Sequence, residues 1–343
     1  MKRMLAILLT LVLAAMLLTG CVANPASQDE FSSAEPETIA VKTGLYIDAD
    51  ISDSHSADAE NEGEASFDVT LVAVTVDDSG VIQSCMIDGI PAMLAFDAKG
   101  AIISDIASPV QTKNEMGEAY GMKTYGGAGY EWNEQVAALA QYAVGKTVEE
   151  LKRGAVNESG YAADADLAST ATIYIGSYVA DIEAAVNNAR HLGAQAGDAL
   201  KLASINTLDS SVNAGDGEDG TVQLNSDVCA LTMNGDTITS CYIDSLQAKV
   251  SFDANGAITS DLTSPVRSKN QLGDAYGMKE KAGSRYEWNE QAAAFAQYVT
   301  GKTPAEVASI AVNEKNVPTE ADLASTVTIS IGGFQALIAK ATQ

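Results

Sequence analysis

The sequence predicts an α+β protein made of two tandem homologous domains, each an antiparallel β-meander followed by about three helices. Three observations carry that expectation. Residues 82–172 align with residues 238–328 at a constant offset of 156, without a gap, and more than half of the paired positions are identical. A repeat this long marks tandem globular units, because solenoid units run to about 20–50 residues. Within each copy, β-branched runs broken by turn signals come first, and alanine-rich stretches with helical spacing follow. The repeats are placed at 41–190 and 197–343, joined by a linker near Arg190 to Gly197.

The front of each copy reads as strands. Val69 to Val76 is a β-branched run, Asp77-Asp78-Ser79-Gly80 is a turn, and Val81-Ile82 opens the next strand. The second copy has Met233-Asn234-Gly235-Asp236 at the matching turn, where Asn-Gly is a strong hairpin signal. A separate third strand is expected at 94–96, turning through Asp97 to Gly100 into Ala101-Ile102-Ile103. Its counterpart is 250–252, followed by Asp253 to Gly256 and Ala257-Ile258.

The back of each copy reads as helices. Trp132, Val136, Leu139 and Ala143 share one face of a helix that Gly145 stops. A second helix opens at Thr147 with Glu150 three residues on. The matching Thr303-Pro304-Ala305-Glu306 is a capping box with proline at the first helical position. The terminal helices are expected at about 178–189 and 334–341.

At the N-terminus, Lys2 and Arg3 precede an apolar run from Leu5 to Leu18. That pattern predicts a secretory signal over 1–20, and the run falls short of the ~20 apolar residues a spanning helix needs. The run ends in Leu18-Thr19-Gly20-Cys21, which resembles the bacterial lipoprotein signal. The resemblance implies that Cys21 takes a diacylglyceryl thioether, becomes the mature N-terminus and holds the chain on the extracytoplasmic face of a bacterial membrane. Residues 21–40 are rich in Ser, Pro, Glu and Ala and read as a flexible tether.

The formal net charge of −26 makes nucleic acid and anionic lipid poor partners, since both need a basic surface. A hydrophobic content of 46% leaves enough apolar residues for two cores. The two histidines, His55 and His191, do not occupy equivalent repeat positions. No paired-histidine, Cys-x-x-Cys, Gly-x-Ser-x-Gly or phosphate-loop pattern is present. The run from Gly215 to Gly220 has the composition of a calcium loop without its spacing, so a solvated loop and a cation site both stand open. Cys85 and Cys241 are equivalent, and Cys229 falls opposite Cys241 if the intervening turn takes three residues. A disulfide and a buried thiol pair are both compatible with that spacing.

One segment points to chemistry. Asp164-Ala165-Asp166-Leu167-Ala168-Ser169-Thr170-Ala171-Thr172 recurs as Glu320-Ala321-Asp322-Leu323-Ala324-Ser325-Thr326-Val327-Thr328. It resembles the flavinylation motif of the FMN-binding domain family of covalently flavinylated bacterial lipoproteins, Asp-x-x-Ser/Thr-Gly/Ser-Ala-Thr. In that family a flavin transferase links FMN through its phosphate to the final threonine. The resemblance implies acceptors at Thr172 and Thr328, leading acids at Asp166 and Asp322, and small hydroxyl positions at Ser169 and Ser325. Thr170 and Thr326 depart from the motif, and Val327 replaces the alanine before the acceptor, so Thr172 is the better candidate. The function implied is an extracytoplasmic FMN carrier in electron transfer, served by a flavin transferase and a redox partner. Read from the residues alone, 169–175 and 325–331 alternate as half-buried strands. The chain is then a non-catalytic ligand-binding or cell-envelope interaction module without flavin. Either way it is a carrier or binder rather than a turnover enzyme.

A second shared run, Lys113 to Lys123 and Lys269 to Lys279, is rich in glycine and carries Asn, Tyr and Lys. It reads either as the lining of a ligand cleft or as a short helix and turn packing Met and Tyr.

Overall fold

Long β-branched runs with few interior breakers build the frame. The computed structural model describes residues 39–343. The signal segment 1–20, Cys21 and nearly all of the tether at 21–40 lie outside the described residues. The first repeat opens with β1 (Lys42–Asp50), β2 (Gly63–Val76) and β3 (Ile82–Phe96), an antiparallel sheet in that order. The second repeats it with β4 (Ala199–Thr207), β5 (Gly220–Asn234) and β6 (Thr237–Phe252).

The strand expected at 94–96 is not separate. It is the far end of β3, which runs unbroken through Asp88, Gly89 and Pro91. Proline is tolerated there because β3 is an edge strand, where a missing N–H breaks no ladder on the outer side.

Five α-helices follow in the first repeat, α1 (Lys113–Met116), α2 (Trp132–Ala143), α3 (Val148–Ala155), α4 (Ala165–Ala168) and α5 (Gly176–Asn187), with a 3-10 turn at Gly117–Tyr120 that recurs at Gly273–Tyr276. The second has α6 (Lys269–Leu272), α7 (Met278–Ala282), α8 (Trp288–Val299), α9 (Pro304–Ala308), α10 (Ala321–Ala324) and α11 (Gly332–Ala341). The helices expected from the sequence are α2, α3 and α5 with their counterparts, and the rest are single turns. Both expected capping boxes form, with Thr147 and Thr303 accepting from the amides of Glu150 and Glu306. The stretches 169–175 and 325–331, which alternate as strands would, are instead turns between α4 and α5 and between α10 and α11. Their alternation comes from Ala171 and Ile175, and Val327 and Ile331, reaching inward from a turn.

The layers stack helix, sheet, sheet, helix. Leu45, Phe67, Leu71 and Ile90 of the first sheet meet Val222, Leu224, Val228 and Val250 of the second in one shared core. On the outer faces, Val72, Val74 and Ile87 pack under α2, α3 and α5, while Leu231, Ile238 and Ile243 pack under α8, α9 and α11. Burial on both faces explains why the second halves of β2 and β5, Leu71–Val76 and Val228–Met233, read as mostly apolar runs while their first halves alternate.

The two repeats also exchange backbone bonds reciprocally. The loop after β1 sends Ala57 N–H to the Gly256 carbonyl, and the loop after β4 sends Ala214 N–H to the Gly100 carbonyl, both at 2.8 Å. Phe96 and Phe252 stack across the join with centroids 4.1 Å apart and planes 7° from parallel. Gly63 and Gly220 pass so close to these rings that a Cβ would come within 2.4 and 2.6 Å of a ring carbon.

Cys229 faces Ile243, and Cys241 faces Leu231, because the hairpin closes over a two-residue turn with a bulge beyond it. Both are free buried thiols, and burial pushes Cys229 up to about 12 and Cys241 upward as well.

One buried acid makes a pH prediction. Asp181 of α5 is 6% exposed, and its Oδ2 has no hydrogen-bond partner among the described residues. Burial, aided by the neighbouring charge of Asp48, raises its pKa from 3.8 to about 7. The unfolded chain therefore releases this proton at lower pH than the folded one. The contribution of Asp181 to stability falls as pH rises from about 4 to about 7, and the penalty is complete above that. Asp181→Asn is expected to raise the melting temperature at pH 8 and leave it nearly unchanged at pH 4. Equal shifts at both pH values would contradict the assignment.

Candidate functional site

The two threonines that close the repeated motif, Thr172 and Thr328, are held identically, each by a glutamine on a neighbouring helix. Gln135 lies on the buried face of α2, three residues after Trp132, and is fully buried. Its Oε1 accepts from Thr172 N–H at 2.8 Å, Thr172 Oγ1 at 3.0 Å and Ile173 N–H at 3.1 Å, while its Nε2 donates to the Tyr130 carbonyl. Gln291 of α8 does the same for Thr328 and Ile329, donating to the Tyr286 carbonyl. Both threonines are exposed, four residues before α5 and α11 begin.

The remaining motif residues play a different part. Asp164 caps α4 by accepting from the amides of Asp166 and Leu167. Ser169 and Ser325 donate to the backbone carbonyls of Asp166 and Asp322, so the serines meet main chain and not carboxylates. The Asp166 and Asp322 side chains are exposed. Thr170 and Thr326 sit in ordinary helical turns, bonding back to Leu167 and Leu323, and neither has the positive φ that demands glycine. Val327 is fully buried while Thr328 is exposed, so the larger side chain enters the core and does not crowd the hydroxyl.

The run at 113–123 and 269–279 forms a short helix and turn in both repeats. Asn114 ties α1 to β3 through N–H to Asp88 and Nδ2 to the Ile87 carbonyl, and Asn270 repeats this with Asp244 and Ile243. Burial raises the Asp88 carboxyl and lifts Asp244 to about 6. In the second repeat the same run lines a cleft of about 750 Å³ together with Asp227, Trp288 and Phe334. Ile329 and Ser330, which directly follow Thr328, form part of its wall.

The lysines distinguish the two copies. Lys113 pairs with Asp68 at 2.8 Å and lies over the rings of Tyr120 and Trp132. Burial pushes its ammonium down, but Asp68 outweighs that and its pKa stands above the ordinary lysine value. Lys269 lies over Trp288 at 4.7 Å and Tyr276 at 5.2 Å and has no ion-pair partner among the described residues. In β5, Asn225 stands where β2 has Asp68, and Asp227 is two residues further along. Burial dominates at Lys269, against a pull from Asp227 and Asp244, so its pKa falls. A half-buried ammonium beside aromatic faces favours an anionic or electron-rich planar group. Tyr178 also accepts from Trp132 Nε1 at 3.0 Å, and its counterpart Phe334 has no hydroxyl to do so.

Gln135, Gln291 and Lys269 are absent from the residues the motif singles out. The legible signal was a polar side chain on the apolar stripe of a helix, repeated at the same offset. Elsewhere, Gly215 and Glu218 close a tight turn, and Asp219 accepts from Thr259. Among the described residues no group of three or more His, Cys, Asp or Glu side chains gathers as a metal site. Comparison with protein-family models, with curated proteins and with solved structures gives no significant match.

Proposed function

We propose that the chain is a lipid-anchored protein of the bacterial cell envelope that carries FMN for electron transfer, with Thr328 as the principal attachment point and Thr172 as the second. The observation that carries this reading is the placement of Thr328. It is an exposed threonine, fixed by Gln291, beside a cleft with aromatic walls and a lysine, Lys269, that has no ion-pair partner among the described residues. This order of preference differs from that of the motif alone, which favours Thr172.

The residues fit a flavin in kind. Trp288, Tyr276 and Phe334 offer faces for a planar ring system, Lys269 offers positive charge to its electron-rich edge, and the threonine offers the hydroxyl that a transferase esterifies. FMN supplies one- or two-electron redox chemistry, and the chain positions and shields it. Anchorage through Cys21 places that chemistry outside the cytoplasm, where a membrane-bound redox partner would exchange electrons with it.

The test is the intact mass of the full chain co-expressed with a flavin transferase, beside Thr172→Ala, Thr328→Ala and the double variant. The expected result is a gain of one flavin phosphate unit lost in Thr328→Ala, with a second unit lost in Thr172→Ala. An unmodified, colourless protein would refute covalent carriage. The alternative reading, a non-covalent ligand-binding module, draws on the same cleft, which exists whether or not Thr328 is esterified. Flavin that co-purifies, leaves the mass of the denatured chain unchanged and is lost in Lys269→Ala would favour it.

A further inference from the structure

A different cavity, of about 630 Å³, lies between β6, the other side of α8 and the linker joining the repeats. Its floor is Tyr242 and Ile243, its wall carries Asn289, Gln297 and Thr300, and Arg190 stands at the linker side. Asn289 Oδ1 is buried and has no hydrogen-bond partner among the described residues. An oxygen stripped of water and left unpaired is destabilising, because nothing repays its lost hydration. The feature is built twice: the first repeat has a cavity of about 430 Å³ lined by Asn114, Asn133 and Gln141, and Asn133 Oδ1 is likewise buried and unpartnered. The two linings agree at most equivalent positions and differ where Tyr242 replaces Met86 and Thr300 replaces Val144, so the same orphaned amide oxygen is a waiting acceptor that in the second repeat faces more polar neighbours.

Only the larger cavity, in the second repeat, has the linker in its lining, and the linker brings charge. Arg190 is pinned by two backbone bonds with Thr43, at 2.9 and 3.0 Å. Its guanidinium lies over the Tyr242 ring, 5.7 Å from the centroid, and pairs with no carboxylate among the described residues. In a chain of net charge −26, a guanidinium without an acid partner beside a polar cavity selects for an anion. His191 is held aside by Asp78 at 2.9 Å.

We propose that this cavity binds a small hydroxylated carboxylate of the sugar-acid class. Arg190 takes the carboxylate, the ligand's hydroxyls donate to Asn289 Oδ1 and bond with Gln297 and Thr300, and its carbon skeleton lies on Tyr242. The site is independent of Thr172, Thr328 and the flavin reading.

Titration calorimetry on the full chain in detergent, with gluconate, glucose and acetate as probes, tests this. Gluconate is expected to bind saturably, with glucose and acetate at least about tenfold weaker, since each lacks one half of the recognition. Arg190→Gln, an exposed change, and Asn289→Asp, which sets a carboxylate against the ligand, are each expected to weaken gluconate by about tenfold or more. Asn289→Ser carries the same expectation should the aspartate variant not fold. Thr172→Ala and Thr328→Ala are expected to leave binding unchanged, which separates failure here from failure of the flavin reading. No saturable binding of gluconate up to about 10 mM, glucose binding as tightly as gluconate, or unaltered binding in Arg190→Gln would each overturn the proposal.

Discussion

Gln135→Leu and Gln291→Leu are each expected to lower folding stability by about 3–4 kcal/mol, among the largest effects of any polar substitution in the chain. Leucine fills much the same volume, so the loss is electrostatic rather than steric. One Oε1 accepts three hydrogen bonds, from two amides and a hydroxyl, and the same side chain's Nε2 satisfies a tyrosine carbonyl. Without it, two backbone N–H groups and a carbonyl lose their partners beside a residue that is fully buried. Urea unfolding of the single variants measures the cost. Hydrogen exchange locates it, since protection should fall first at residues 172 and 173, or 328 and 329. A loss below about 1 kcal/mol would mean that solvent replaces the glutamine easily and that the turn is not fixed by it. Because Thr328 is presented by this turn, the proposed flavin carriage carries the further expectation that Gln291→Leu reduces attachment before it reduces secondary structure.

Phe96→Ala and Phe252→Ala should each cost about 3–5 kcal/mol, as expected for emptying a fully buried aromatic position. The rings touch only because the repeats are packed together, so these variants probe the join and not either sheet alone. Gly63 and Gly220 hold the backbone against the ring faces, which limits how far the surroundings can collapse into the space. The double variant is expected to cost less than the sum of the singles, by about 0.5–1.5 kcal/mol, because the first deletion already removes the stacking. Unfolding followed by circular dichroism gives the four corners of this cycle. Strict additivity would show that the stacked pair contributes nothing beyond its buried area.

The fold was legible where local chemistry agrees with the final structure. Repetition at a fixed offset, the capping boxes at Thr147 and Thr303, and the helical face carrying Trp132, Val136 and Leu139 depend on neighbours within a turn or two. β3 was not legible as one strand, because Asp88, Gly89 and Pro91 are local breakers. Only an edge position and the clasp from Asn114 make them harmless. The half-strand pattern at 169–175 misled for the complementary reason: two inward residues on a turn mimic period two. The candidate site was half legible. The motif pointed to the threonines, but the glutamines that fix them come from helices some 37 positions away in sequence. The lysine contrast between copies depends on which strand residue faces it, and sequence spacing alone does not register that.

The reciprocal bonds between Ala57 and Gly256 and between Ala214 and Gly100 follow the rule of an isologous contact, in which each partner gives what it receives. The protein is in effect a homodimer whose subunits have been spliced end to end. In a true homodimer every substitution appears twice, so neither active surface can depart from the other. Splicing removes that constraint while keeping the stabilising symmetry of the buried face. Lys269 without its acid, Phe334 without its hydroxyl, and a second cavity with a linker on one side are the kinds of difference such a chain is free to accumulate. One half can keep an inherited task while the other takes up a new one.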